Sequence, residues 1–401
     1  MKINKSLWKG SIVLLIAFGI FNFFHFLFQF FMARMLTVIE YGILATLFAI
    51  TYILLVFTES FQTVLAKYSA RERDLGKLKN VFKRSSKKAL KFSIMLFIAY
   101  LIVGIFLSKI LNIKYLLIST TGLVIFLAFF LPISRGIMQG RKKFKALGAN
   151  MIFEATLKLI IGFLLVFLGW SVFGAIVGVI LGGFAAFLFS FLQLKEITRA
   201  KEKIVNIGNI YKYAMPTIIV TASIVVFYSL DVVIARIFFE PEIAGAYAIA
   251  SILGKVIFWG TLPISKAMFP LSSSKGVQKE KSGNIFANSL VLVFMGIISA
   301  LIVFYFFPEF VIKIFSGKSI PDAVSVLFYL GIAFSFISLS NIILLHKLSI
   351  DKIKRPYLLG IFIILEIVLL SVFSSNLIEF SIAFVTASAA FLWGVVFLIR
   401  D

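Results

Sequence analysis

Residues 83–110 read KRSSKKALKFSIMLFIAYLIVGIFLSKI. Lys83, Arg84, Lys87, Lys88 and Lys91 crowd the start, and the window 90–108 is otherwise almost entirely apolar. A helix that crosses hydrocarbon needs roughly 20 mostly apolar residues. A barrel strand needs about 10, with alternating polarity. This run is too long and too evenly apolar for a strand, so it predicts a membrane-spanning helix with basic residues at one end.

Eleven more windows of the same kind fall at about 9–33, 41–66, 115–135, 149–168, 171–194, 213–235, 244–265, 285–307, 323–345, 356–373 and 380–399. The predicted class is therefore an all-α integral membrane protein of about twelve transmembrane helices. Composition agrees: 61% of the residues are hydrophobic and the mean hydropathy is +1.07, well beyond the roughly half-apolar balance of a soluble domain. The first window follows Lys2, Lys5 and Lys9, but its length and the lack of a small-residue cleavage site predict a retained helix and not a signal peptide.

The +23 formal charge is explained by where the basic residues lie. With the N-terminus inside, the cytoplasmic segments hold 32 Lys and Arg and the outer ones 6. That bias fixes both ends on the cytoplasmic side. The basic loops then serve topology and contact with anionic lipid heads, and nucleic acid is not an expected partner. The 67–91 segment predicts an amphipathic surface helix running into the third span.

An internal repeat divides the chain. Ala33-Arg34 and Glu40 recur as Ala235-Arg236 and Glu242, at one offset of 202 residues, while Gly42 and Gly245 differ by one position more. Two lobes of six helices follow, 1–200 and 201–401. Halves of even span number are parallel repeats, and the substrate path is expected between them.

Ionisable groups in hydrocarbon are costly and mark function or pairing. The chain has Glu59, Glu154, Lys158, Asp231, Lys255 and Glu366 within its windows, and Arg34 and Arg236 at outer helix ends. Glu154 and Lys158, four apart, either pair on one helix face or line a cavity. Asp231 is within about a turn of Arg236 and is expected to pair there. Lys255 and Glu366 are deeper and are expected to line a water-filled cavity. His25, with Asn22 and Gln29 on one face, reads as a polar packing residue. Arg34, Lys158, Arg236 and Lys255 together suit an anionic substrate such as a phosphate or pyrophosphate; Glu59, Glu154, Asp231 and Glu366 are the candidate coupling or cavity acids. Pro132, Pro263 and Pro270 are placed to kink helices. The faces Gly174, Gly178, Gly182 and Gly136, Gly140 predict close helix packing. No cysteine and only two histidines, His25 and His346, leave no expected metal or cofactor site.

The stretches ARMLTVIEYG (33–42), RGIMQGRKKF (135–144), YAMP (213–216), ARIFFEPEIAGAYAIASILGK (235–255) and LPISKAMFP (262–270) resemble the polysaccharide or oligosaccharide flippases of the multidrug/oligosaccharidyl-lipid/polysaccharide (MOP) exporter superfamily. The PEFVIKIFSGKSIPDA stretch (308–323) adds to the likeness. The resemblance implies a MATE-like fold of two six-helix lobes with a cationic cavity. It also implies alternating access that carries an isoprenoid-linked oligosaccharide from the inner to the outer leaflet of the plasma membrane. Thr37 departs from the glycine many members carry after the Ala-Arg-x-Leu run, and twelve helices disfavour the lipid II branch, which usually has two more. The alternative is an ion-coupled multidrug exporter of the same superfamily. It needs a membrane acid in the first or seventh helix, where only Asp231 qualifies. A membrane glycan polymerase or acyltransferase is a third class, but no nucleophile–base pair or phosphate-binding glycine loop is present, so no enzyme is expected. A gradient of Na+ or H+, or of the substrate itself, is left to drive a monomeric transporter.

Overall fold

The computed structural model describes residues 5–56, 58–205, 215–272, 279–350, 353 and 355–397, and among these every regular element is helical. Two units emerge from the contacts: residues 1–36 with 54–215, and residues 37–53 with 216–401. This division differs from the one at 200/201 suggested by the repeat. The break lies at 215/216, and most of the second helix groups with the later unit.

The first unit contains α1 (Lys5–Met35), α3 (Thr58–Arg71), α4 (Leu75–Ile110), α5 (Tyr115–Thr121), α6 (Val124–Gly140), α7 (Phe144–Leu165), α8 (Ser171–Gln193) and the short α9 (Lys195–Thr198). The second contains most of α2 (Val38–Leu55), then α10 (Met215–Phe238), α11 (Pro241–Ser272), α12 (Lys279–Phe306), α13 (Pro308–Ser316), α14 (Pro321–Ser349), α15 (Leu359–Val372) and α16 (Leu377–Phe397). Among the described residues, ten helical stretches are long and apolar enough to cross a membrane. One of these, 144–193, folds back between α7 and α8, and the apolar helix Pro356–Val372 is shorter. Each predicted window is helical over most of its described residues, but the one at 41–66 is divided between α2 and α3 and the one at 115–135 between α5 and α6.

Local chemistry explains the breaks. Between α7 and α8 the chain turns through Gly169 at φ +88°, a conformation that only glycine adopts without strain. The returning helix packs backbone to backbone. A Cβ on Gly178 would lie 2.6 Å from the Gly162 Cα, and one on Gly182 would lie 2.8 Å from the Lys158 nitrogen. The predicted glycine face is thus a close packing seam. The shorter one is too: Cβ atoms on Gly136 and Gly140 would meet the α3 carbonyls of Gln62 and Ala66 at 2.7 and 2.3 Å.

Pro132 lies inside α6, which runs on through it. A proline cannot donate to the carbonyl four residues back, here Ala128, and Thr58 Oγ1 donates to that oxygen at 3.2 Å. Likewise α11 continues through Pro263 and Pro270. The basic segment does run into the third span, but from Leu75 and not from 67. α3 ends at Arg71, Asp74 caps α4 by accepting from the Gly76 and Lys77 amides, and α4 then runs unbroken to Ile110.

A strap follows α9. The Lys203 amide donates to the Gly76 carbonyl, the Lys79 ammonium to the Ala200 carbonyl at 2.8 Å and Arg84 to the Val205 carbonyl. Lys203 pairs with Asp74 at 2.7 Å and Lys83 with Glu202 at 2.9 Å. These contacts tie residues 200–205 to the first turns of α4. Gly76 is required there, since its Cβ would lie 2.3 Å from the Lys201 carbonyl oxygen.

Candidate functional site

A polar cluster lies among the described residues of each unit. In the first, α6, α7 and α8 bring together Arg135, Asn150, Glu154 and Gln193. Arg135 Nε donates to Asn150 Oδ1 at 2.9 Å, and its Nη2 binds the Glu154 carboxylate. Asn150 Nδ2 donates to the Ala186 carbonyl at 2.8 Å and to Gln193 Oε1 at 3.1 Å. Gln193 Nε2 in turn donates to the Ala146 carbonyl. The network links three helices through side-chain hydrogen bonds, which is how polar groups among apolar neighbours are satisfied.

One turn along α7, Lys158 is buried. Its Nζ lies 3.2 Å from His25 Nδ1 on α1 and 4.4 Å from the centre of the Phe28 ring. An ammonium has no acceptor lone pair, so Lys158 is the donor and the His25 proton sits on Nε2. The His25 ring packs on Phe21, centroids 4.4 Å apart. His25 is thus the hydrogen-bond partner of Lys158, more than a packing residue. Glu154 is bound by Arg135 of α6, while Lys158 reaches His25 of α1. Arg135 opens the basic stretch 135–145, which the charge bias assigns to the cytoplasmic side. It lies inside α6 with its side chain only 11% exposed.

In the second unit, α10 and α11 hold Asp231 fully enclosed. Ser251 Oγ donates to its Oδ2 at 2.5 Å, and Lys255 Nζ to its Oδ1 at 3.2 Å. Ser251 and Lys255 are four apart on α11, so they stand on one face. The expected pair of Asp231 with Arg236 is not what forms: Asp231 takes Lys255. Glu366 on α15 is 0% exposed. Neither of its carboxylate oxygens has a hydrogen-bond partner, and it stands within electrostatic reach of Asp231 and Lys255. Tyr247, one turn before Ser251, faces the same two acids. Lys255 and Glu366 are therefore closed into this cluster and do not line an open cavity.

The remaining candidates stand apart. Arg34 is exposed near the end of α1, over the Phe30 ring at 4.4 Å. Arg236 is buried in the last turn of α10. The side chain of Glu59 lies outside the described residues. A groove of about 320 Å³ between α1 and α7, lined by Ala17, Gly148, Ile152 and one cation, Lys145, contains none of the candidates. No group of three or more metal-ligating side chains occurs among the described residues. Arg135, Asn150, Gln193, Ser251 and Tyr247 were not foreseen. Asn150 precedes Glu154 and Lys158 at steps of four on one face of α7, and that spacing was the signal that could have found it.

The polysaccharide biosynthesis protein family matches residues 7–276. The uncharacterized membrane protein MJ1375 of Methanocaldococcus jannaschii is 25% identical over 98% of each chain. Among solved structures, an inward-facing MATE family multidrug resistance transporter of the MOP superfamily superposes with a TM-score of 0.76. It is 15% identical, with 93% of each chain covered. The lipid II flippase MurJ in an inward closed conformation gives 0.73 at 16% identity, covering 97% of this chain and 87% of that one. The MOP fold is thus shared along nearly the whole length, and the chain belongs to the polysaccharide biosynthesis protein family.

Proposed function

We propose that this membrane transporter flips an isoprenoid-linked oligosaccharide from the inner to the outer leaflet of the plasma membrane, by alternating access of its two units. The observation that carries the reading is the balance of charge in the first cluster. Two cations, the buried Lys158 and the largely covered Arg135, stand there with one carboxylate, Glu154. A surplus cation in a low-dielectric interior favours an anionic cargo and disfavours a cationic drug. Family membership and the fold shared with a lipid II flippase support it. Arg34 and Arg236 add positive charge for a phosphate or pyrophosphate.

The second cluster is the coupling element. Lys255 already neutralises Asp231, so Glu366 is left to take up a proton or a cation. A carboxyl enclosed without a hydrogen-bond donor is stable only in one of those two states. We assign the proton to it, and the transporter works as a monomer with both termini in the cytoplasm.

The test is uptake of a labelled lipid-linked oligosaccharide into vesicles holding the full chain. Lys158→Gln is expected to slow it; unchanged transport sinks the anionic-cargo reading. Glu366→Gln is expected to remove the dependence on a pH gradient. The fold shared with a MATE transporter favours drug export as the second reading. Efflux of cationic dyes, without movement of lipid-linked sugar, would establish it.

A further inference from the structure

The lipid-facing side of α4 changes character along its length. Lys87, Lys91, Met95, Ile98, Ile102 and Phe106 follow one another at steps of three or four, so they form a single row down the helix. All six are exposed, Met95 at 59% and Phe106 at 64%. The apolar part of this row is the surface a spanning helix turns to lipid tails. The cationic part continues it without a bend, because α4 is unbroken from Leu75 to Ile110.

Depth follows from helix geometry. Lys91 and Lys109 bracket an uncharged stretch, and their separation along an α-helix is about 27 Å at 1.5 Å per residue. A bilayer's hydrocarbon is about 30 Å thick, so these two lysines mark its edges. Lys87 and Lys88 lie roughly 5–6 Å beyond Lys91, within the headgroup layer that flanks each side of the hydrocarbon. Lys83 and Arg84 lie about 10–12 Å beyond it, past that layer, and there the strap engages them through Glu202 and the Val205 carbonyl.

Lys87, Lys88 and Lys91 are thus the cations at phosphate depth. All three are exposed, and none makes an ion pair with an acidic side chain among the described residues. They fall within about a third of the helix circumference. At the other edge of the hydrocarbon the same helix has only Lys109 near its end.

We propose that this three-lysine surface is a binding site for an anionic phospholipid of the cytoplasmic leaflet, whose phosphate meets the lysines while its chains lie along Met95, Ile98 and Ile102. The occupant is a bilayer lipid, because the cationic row is continuous with the tail-facing row of the same helix. A soluble anion would gain nothing from those apolar side chains. A nucleic acid would need the charges to project into the aqueous phase, where the strap has already taken Lys83 and Arg84.

Native mass spectrometry of the full chain, released from detergent and titrated with phosphatidylglycerol, phosphatidylcholine or inorganic pyrophosphate, tests this. Each basic residue near an anionic surface contributes a factor of about five. Replacing all three lysines by glutamine is expected to weaken phosphatidylglycerol adducts by roughly 100-fold at low salt and to leave phosphatidylcholine adducts unchanged. Replacing all three by arginine keeps the charge and is expected to keep the affinity. The arginine variant and the single Lys91→Gln both remain informative if the triple glutamine variant folds poorly. Undiminished phosphatidylglycerol binding in the glutamine variants would overturn the site, as would its loss in the arginine variant. Displacement of phosphatidylglycerol by pyrophosphate would overturn the choice of occupant, and would assign the surface to the phosphate groups of the cargo.

Discussion

Removing Lys255 alone tests how the second unit tolerates its buried charge. The ammonium stands 3.2 Å from Asp231 Oδ1, and both side chains are at most 5% exposed. At that separation two unit charges attract by about 5 kcal/mol at an effective dielectric constant near 20. The larger matter is what is left behind. Lys255→Met leaves Asp231 enclosed with the Ser251 hydroxyl as its remaining partner, and breaking one side of such a pair costs about 3–5 kcal/mol. Asp231→Asn strands the ammonium in the same way. The double variant strands neither charge and keeps the Ser251 hydrogen bond, so it is expected to recover most of the loss. A coupling of about 2–3 kcal/mol is expected between the two sites. Equilibrium unfolding in mixed micelles, on the parent, both single variants and the double variant, measures it. If Lys255→Met is as stable as the parent, or the double variant falls below both single ones, the buried pair does not hold this unit as argued.

Three further outcomes follow from the packing and the strap. Gly178→Val is expected to cost about 1–3 kcal/mol or more, because its Cβ would sit 2.6 Å from Gly162. Gly260→Ala, which meets nothing within 4 Å, is expected to stay within about 0.5 kcal/mol; the same unfolding assay compares them. Hydrogen bonds from Lys203 to Asp74 and from Lys83 to Glu202 hold both carboxyls below their ordinary values of 3.8 and 4.5, and Lys203 is held above its own. The carboxylate contribution is therefore complete above the usual carboxylate range and is lost as pH falls through the lowered values. The lysine contribution is lost only as pH rises above 10.5. Amide exchange at 200–205 is expected to show constant protection through neutral pH, to lose it on acidification, and to be faster at all pH values in Gly76→Ala.

The hydrophobic windows were legible because a spanning helix must satisfy its backbone within itself, so length and apolarity alone reveal it. Breaks inside a window were harder to see. The split between α2 and α3 has no proline or glycine to mark it: the apolar ILLV of 53–56 leads into it, and only the polar Thr58, Glu59 and Ser60 that follow hint at it. The partners of the buried charges were least legible. Asp231 had a cation five residues away on its own helix and took one from α11. Glu154 had a lysine four residues away and took Arg135 from α6. In both cases the choice depends on how neighbouring helices are rotated. The sequence periodicity names the face of each residue but not which face it meets. Arg135 was misplaced for a related reason: an arginine near a run of basic residues counts toward the loop until α6 is seen to continue to Gly140.

The repeat offers the sharpest remaining test, because it pairs two glycines that the sequence marked for another reason. Gly42 and Gly245 lie in the first turns of α2 and α11, and in the second unit these turns touch. A Cβ on Gly42 would lie 2.7 Å from the Gly245 Cα, and a Cβ on Gly245 would lie 2.2 Å from the Val38 carbonyl oxygen. Both obstacles are backbone, so no rotamer relieves them and the helices themselves must part. Each alanine substitution is expected to cost about 1–3 kcal/mol, with Gly245→Ala the worse because its clash is closer. The double variant discriminates further. Once one methyl has pushed the helices apart, the second finds the space already open, so the two losses are expected to fall short of their sum. Full additivity in the unfolding assay would mean that the two methyls are accommodated separately, and that this helix contact is not the single seam described.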